Sequence, residues 1–453
     1  MTRATFLGLA AISLAGATPA PAQQATADSA WIAGDFHLAR ISYERVLARD
    51  PLSVRANYRL GILASWDGRL DSALVLVRKA RSQDPGDPDI RTTEARILSW
   101  DGRTDEAIAL YDSVVSDFPR HADALAGLGQ VYLWQGKYSM SRGYVSRALA
   151  ADPDGKTARE LDRTLRSALR PQVEITLGWS NDSDDNTSWW QTVAGSYLLS
   201  DALRAFGSVG ALEASDPFRD ASRLSAEAGL DYGLGNLYAT GALGVRRLSP
   251  DTGASRTAGT IRLSARYRLG PAGVGIGYAH YPFDETAFLI ERGIDVDAFE
   301  LSGDATLSPG LNLGAGAGFA SLSDNNSRTS GILTLTKTLK HDFFVGVMAR
   351  ALGYDFKGVG YFSPGWFSVY EARGGYSRSG VQWTGRISGG LGVQQVGSGA
   401  RVQSEWHLEG RLGRKWGLMN SVEAFAGISN SAESSTTGAF EYRTAGVMVR
   451  IGL

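Results

Sequence analysis

Four prolines, Pro51, Pro85, Pro119 and Pro153, stand 34 residues apart, and so do four glycines, Gly34, Gly68, Gly102 and Gly136. Punctuation at one fixed period points to a stack of similar helix pairs. Each glycine turns the first helix into the second, and each proline ends the second because it has no N–H to continue the ladder. Small residues recur five after each glycine, Ala39, Ala73 and Ala107, with Ser141 in the fourth unit, where the second helix must cross the first closely. Nine after each glycine stand Tyr43, Val77, Tyr111 and Val145.

The pattern resembles tetratricopeptide repeats (TPRs) over about residues 27–156, with Leu60-Gly61, Ala64, Gly68, Ala73, Ala80 and Pro85 the fullest match. Thr157 to Arg170 then carries Leu161, Leu165 and Leu169 amid Arg159, Arg163, Arg166 and Arg170, the pattern of a helix that seals the stack. By analogy with TPRs, the concave groove is lined by Tyr58, Ile62, Asp89, Arg96, Asp123 and Gln130, a mixed set suited to peptides, proteins or chains. Trp66, Trp100 and Trp134 share the period. Each indole is either a flat platform for a sugar ring or the filler of the corner between its two helices.

Ahead of the repeats, Met1-Thr2-Arg3, an apolar run from Phe6 to Ala17, and small residues at Ala20 and Ala22 predict a secretory signal peptide over residues 1–22. The apolar run is too short to span a bilayer core of roughly 30 Å, and no later segment offers the ~18 apolar residues of a transmembrane helix. Cysteine is absent, which excludes a lipid anchor at the cleavage site, disulfides and thiolate metal sites. The formal net charge of −1 is spread along the chain, and without a basic excess no nucleic-acid partner is expected.

After Pro171 the periodicity changes to two. Val173, Ile175, Leu177 and Trp179 alternate with small or polar residues, as do Leu224, Ala226, Ala228, Leu230 and Tyr232, and Val447, Val449, Ile451 and Leu453. Strands of this kind fit a membrane barrel in contact with outer-membrane lipid. Tight turn signals at Ser200-Asp201, Gly235-Asn236, Gly270-Pro271, Ser308-Pro309-Gly310 and His341-Asp342 alternate with longer ones at Asn181–Thr187, Ser215–Asp220, Ser249–Ser255, Pro282–Asp295 and Ser323–Arg328. The runs between them predict about sixteen strands, with both ends of the sheet on one side. A sandwich of this length would need an unusually large core, and no propeller-blade period appears. The expected fold is α+β and multidomain: an all-α periplasmic TPR solenoid over residues 23–170, then an antiparallel transmembrane β-barrel of about 16 strands over 171–453 in the bacterial outer membrane. The last strand, after Tyr442 and Gly446, resembles the signal read by the barrel-assembly machinery, with Leu453 where Phe or Trp is usual. A barrel of this size has a lumen too wide for side chains alone to fill.

A TPR array fused to a barrel resembles the outer-membrane exporters of bacterial exopolysaccharide, of the cellulose-synthase-operon C protein type, and the YaiO-type outer-membrane β-barrel family. Gly358-Val359-Gly360-Tyr361-Phe362-Ser363-Pro364 is similar to a Gly-rich Tyr-Phe-Ser-Pro segment before a late strand of the cellulose exporter's barrel. The resemblance implies that the barrel conducts a polysaccharide chain while the solenoid guides it or recruits periplasmic or inner-membrane synthase proteins. It also implies that Tyr361, Phe362 and Trp366 stack on sugar near the lumen or its mouth. Otherwise they belong to the interfacial aromatic girdle, with Pro364 fixing a loop. This chain has about four repeats where those exporters carry a much longer array.

No local motif predicts catalysis, a metal or a cofactor. The five histidines, His37, His121, His280, His341 and His407, form no metal-binding spacing, and there is no Gly-x-Ser-x-Gly elbow or phosphate-cradling Gly-Lys-Ser/Thr. The pairs His280 with Ser264 and His407 with Ser404 carry almost no information in so serine-rich a chain. The acidic run Asn181–Asn186 has oxygen ligands but lacks the Gly and terminal Glu of a calcium loop, and reads as a solvated outer loop. The expected function is an export conduit for a secreted polysaccharide. The rival is an outer-membrane anchored TPR scaffold for protein complex assembly without transport.

Overall fold

The computed structural model describes residues 20–417, 419–432, 437–438 and 441–453, in two compact units that meet in sequence at Asp162 and Arg163. The expected signal peptide lies outside the described residues except for Ala20–Ala22, whose backbone opens the first helix.

The first unit is a run of helix pairs: α1 (Ala20–Ile32) with α2 (Phe36–Arg49), α3 (Val54–Trp66) with α4 (Leu70–Gln83), α5 (Pro88–Trp100) with α6 (Thr104–Asp117), and α7 (Ala122–Trp134) with α8 (Tyr138–Ala151). Gly34, Gly68, Gly102 and Gly136 all adopt left-handed φ, from 71° to 80°, where a side chain would be strained. Ser53, Asp87 and His121 cap α3, α5 and α7 by accepting from backbone N–H groups in the first turn. Ala39, Ala73 and Ala107 are completely buried where the helices cross, and Ser141 fills the same place by donating to the Gly129 carbonyl at 2.6 Å. A Cβ at Gly61 or Gly129 would overlap Val77 or Val145, while at Gly127 it would overlap the Tyr111 ring. α9 (Lys156–Leu169) buries Ala158, Leu161 and Leu165 and exposes Arg159, Arg163 and Arg166.

Burial pushes the Tyr111 phenol up to about 12, and burial with a hydrogen bond to Asp28 raises Tyr43 as well. An unfolded tyrosine ionises near pH 10, so between about pH 10 and 12 the unfolded chain gives up protons that the folded unit retains. Its stability is therefore complete below about pH 10 and falls as the pH rises towards 12. Circular dichroism should show the helical transition moving to lower temperature across that window, and Tyr111→Phe should reduce the movement.

The second unit is a closed antiparallel barrel. Its sixteen strands are β1 (Gln172–Asp182), β2 (Thr187–Ser200), β3 (Leu203–Asp216), β4 (Arg219–Leu234), β5 (Leu237–Pro250), β6 (Arg256–Leu269), β7 (Ala272–Pro282) and β8 (Asp295–Ser308), followed by β9 (Leu311–Leu322), β10 (Ser327–Thr338), β11 (Phe343–Tyr354), β12 (Phe367–Ser379), β13 (Trp383–Val396), β14 (Gln403–Trp416), β15 (Asn420–Ser429) and β16 (Tyr442–Gly452). Each pairs with its neighbours in sequence, and β1 closes on β16 from Gln172↔Gly452 to Asp182↔Tyr442. Both ends of the sheet thus lie at the same end of the barrel, opposite the end that carries the larger loops. Alternation sends Leu224 and Leu230 of β4, Leu243 and Val245 of β5, and Leu263 and Leu269 of β6 to the outer face, where they are exposed. Apolar side chains exposed all along an outer face fit hydrocarbon rather than water.

Several connections at the loop end are shorter than the turn signals predict. The expected loop Ser215–Asp220 shrinks to Pro217 and Phe218, because the ladder continues to Asp216↔Arg219 and the two side chains form an ion pair at 3.3 Å. In the Asn181–Asn186 run, Asp182 accepts from the backbone N–H groups of Asp184 and Asn186, so this carboxylate closes its own turn.

Candidate functional site

The larger loops turn inward over the lumen. Between β7 and β8, Thr286 caps a six-residue helix, α10 (Ala287–Arg292), by accepting from Leu289 N, and Gly293 ends it at φ 67°. On one side, Ala287 and Ile290 are buried against Leu212 and Ala214 of β3, Ala221 of β4 and Leu248 of β5. On the other, Leu289 is buried in a cluster that includes Val296 of β8, Leu322 of β9, Leu352 of β11 and Phe367 of β12. A helix this short can touch opposite walls of a closed ring only from inside.

Charge holds the segment in place. Asp284, 2% exposed, accepts from Arg223 Nη1 of β4 at 2.8 Å and from Arg246 Nη1 of β5 at 2.9 and 3.1 Å. Arg256 grips Asp295 through two nitrogens at 2.7 and 2.8 Å, and Arg219 pairs with Glu291 at 2.6 Å. A carboxylate buried between two guanidiniums is stable in place but costly to leave half-paired.

A second inward segment, residues 355–366 between β11 and β12, contains the aromatics expected to meet sugar. Tyr361 is 5% exposed, with its ring 5.5 Å from that of Phe283 and 5.7 Å from that of Tyr354. Its hydroxyl donates to Asp324 at 2.9 Å and accepts from Asn326 Nδ2 at 2.7 Å, and burial, reinforced by Asp324, pushes the phenol up to about 12. Phe362 meets Phe367 edge-on at 5.2 Å, and Ser363 locks the turn by accepting from Gly358 N and donating to the Tyr361 carbonyl. Trp366 alone of the three is exposed. In this closed arrangement Tyr361 packs the mouth and offers no free face to a ligand.

Below the mouth the lumen wall carries charge of both signs in adjacent pairs. Arg262 pairs with Glu227, Arg266 with Asp304, Arg450 with Glu174 at 2.6 Å, and Arg411 with Glu423 at 3.3 Å. The imagined serine–histidine pairs are split between faces. His280 lies opposite Ile261 on the outer face while Ser264 points inward, and Ser404 lies three residues from His407 on one strand and so faces the other way.

Along the helical unit, groove candidates link successive first helices. Tyr58 on α3 meets Thr93 on α5 at 3.2 Å, His121 Nε2 meets Asp89 at 3.1 Å, and Arg96 approaches Asp123 at 4.0 Å. Ile62 and Gln130 are half-buried beside them. Trp66, Trp100 and Trp134 are 54%, 44% and 55% exposed, so none is enclosed by its corner. Trp66 stacks on Trp31 at 5.8 Å and meets Phe36 edge-on at 5.0 Å.

The tetratricopeptide-repeat family matches residues 25–88 and 101–161. A solved bacterial polysaccharide outer membrane secretin is similar at a TM-score of 0.51, with 12% identity over 63% of this chain and 99% of that one. This chain is a TPR-plus-barrel protein. PilW, a type IV pilus biogenesis factor, is 22% identical over 33% of this chain and 70% of its own, with a TM-score of 0.30. YrrB, a TPR protein with an unusual peptide-binding site, is 21% identical over 32% of this chain and 74% of its own, with a TM-score of 0.29. No curated protein matches.

In this TPR-plus-barrel protein the sequence reading missed Asp284 and its two arginines. Nothing local marks them, since Arg223 and Arg246 lie 61 and 38 residues away and meet Asp284 only once the ring has closed. Adjacent bulky residues such as Phe288-Leu289-Ile290 in a nominal outer loop were the available signal, because a solvated loop has no reason to carry them.

Proposed function

We propose that the protein is an outer-membrane conduit for export of a secreted polysaccharide, with its TPR unit in the periplasm guiding the chain or recruiting synthase proteins. The observation that carries this reading is a lumen blocked at its mouth by a segment held by ion pairs and two apolar clusters, above a wall lined with paired charges. The paired lumen charges give donors and acceptors without a field of one sign, which suits a hydroxyl-rich chain of little net charge. The half-exposed tryptophans and the mixed groove offer such a chain flat faces and polar contacts before it reaches the barrel. The conduit does no chemistry of its own, and synthesis in the inner membrane drives the polymer.

The closed mouth also favours a second reading, an anchored scaffold in which the barrel never opens. Planar-bilayer recording separates the two. The full chain should be silent, and removal of residues 284–293 should give stepwise current with little preference between potassium and chloride, interrupted by a neutral oligosaccharide. Silence after the removal, with the barrel intact, would sink the conduit reading in favour of the scaffold.

A further inference from the structure

On the lumen face of β12–β14, Glu371 stands on β12, Glu405 and His407 stand on β14, and β13 runs between them. At the facing β13 positions the residues are Gly390, paired with His407, and Gly392, paired with both glutamates. A Cβ at Gly390 would overlap the Glu371 carboxyl and the His407 ring, so the missing side chains let groups from alternate strands meet across β13.

His407 Nδ1 lies 3.0 Å from Glu371 Oε2 and 3.8 Å from Glu405 Oε1, and a ligand atom from each residue falls within 4.8 Å of the others. Glu371 and Glu405 are 4% and 3% exposed. Each keeps one oxygen, Glu371 Oε1 and Glu405 Oε2, buried without a hydrogen bond. Arg373 Nε reaches only to 3.4 Å from Glu371 Oε1, and Arg350 acts on Glu405 electrostatically. Two buried carboxylates with unsatisfied oxygens beside an imidazole are expensive unless a proton shared between them or a cation takes the vacant lone pairs.

We propose that Glu371, Glu405 and His407 bind a divalent transition-metal ion, with Zn²⁺ the best fit. A nitrogen donor beside two carboxylates disfavours calcium and magnesium, which prefer oxygen ligands alone. Three protein ligands leave a fourth position for water. Binding at Nδ1 requires that atom to be free of its proton, so a protonated imidazole releases one on loading. The ion ties β12 to β14 across a strand that contributes no side chain. It sits in the wall continuous with Phe367 and Val369, which are buried in the mouth cluster.

The test uses the untagged full chain in detergent, stripped with chelator, loaded with ZnCl₂ in excess magnesium and passed over a desalting column before metal analysis. The wild type should retain about one Zn²⁺ per chain, the occupancy of a single three-ligand site, and Glu371→Gln and His407→Ala should each lose it. If the variants do not fold, X-ray absorption of the loaded wild type remains decisive, with one imidazole nitrogen and carboxylate oxygens expected around zinc. A wild type that retains no zinc, a zinc spectrum without imidazole, or folded variants that retain as much zinc as the parent overturns the site. A trio that merely shares a proton would give the first of these results.

Discussion

Asp284→Ala is expected to turn a silent barrel into one that flickers open. Asp284 is the buried counter-charge of Arg223 and Arg246, and its loss leaves two guanidiniums facing each other with no counter-charge between them, only the Pro282 carbonyl 3.4 Å from Arg246 Nη1. Removing one member of a buried ion cluster costs about 3–5 kcal/mol. At about 1.4 kcal/mol per tenfold, that shifts the closed-to-open ratio by roughly two to four orders of magnitude. The apolar hold is of similar size, because burying Leu289 and Ile290 contributes about 1.5–3 kcal/mol each. The single variant should therefore open in bursts, and Asp284→Ala with Ile290→Asp should stay open. Single-channel recording reads both. A doubly substituted barrel that folds and remains silent would show that α10 is not what closes the mouth.

Tyr111→Ala should be the most damaging single change in the helical unit. The ring is 1% exposed and lies over Gly127, where no side chain can replace it without moving it. Truncating a large buried aromatic costs about 3–5 kcal/mol. In a stack whose units touch only their neighbours, that loss loosens the third repeat from the fourth. The helical transition in far-ultraviolet circular dichroism should fall by about 10–20 °C, from the usual few degrees per kcal/mol for a unit of this size. Gly143→Ala is the internal contrast: its Cβ would enter open space on α8, and it should stabilise by roughly 0.5–1 kcal/mol through backbone entropy alone. If Tyr111→Ala melts with the parent, the third repeat is not held by that ring.

What could be read in the sequence was whatever repeats or alternates. The proline and glycine period placed the helix pairs because each residue acts through its own backbone, and alternation placed the strands because one face must be apolar along its length. About sixteen strands became sixteen in a closed ring. What could not be read depends on register. Glu371 and His407 look unrelated until β12, β13 and β14 are aligned, and only then do Gly390 and Gly392 open the space between them. The inward turn of residues 283–294 was hidden for a similar reason. A six-residue helix is too short to show a period, and its partners are on walls that do not exist until the ring is complete. Tyr361 was singled out by resemblance as a sugar contact, but its burial against Phe283 follows from two loops meeting, which a linear motif cannot express.

The β1–β16 seam sets a folding order. Each helix pair of the first unit is complete within a few dozen residues of chain, so its contacts can form as the segment emerges. β1, by contrast, has no partner on one side until β16, the last strand in chain order, reaches it. For the whole interval the sheet has two open edges and an apolar outer face, the state most prone to pairing with the wrong chain. A protein built this way spends its vulnerable period waiting for its last strand, so the ring's closure rests on the residues furthest from its start.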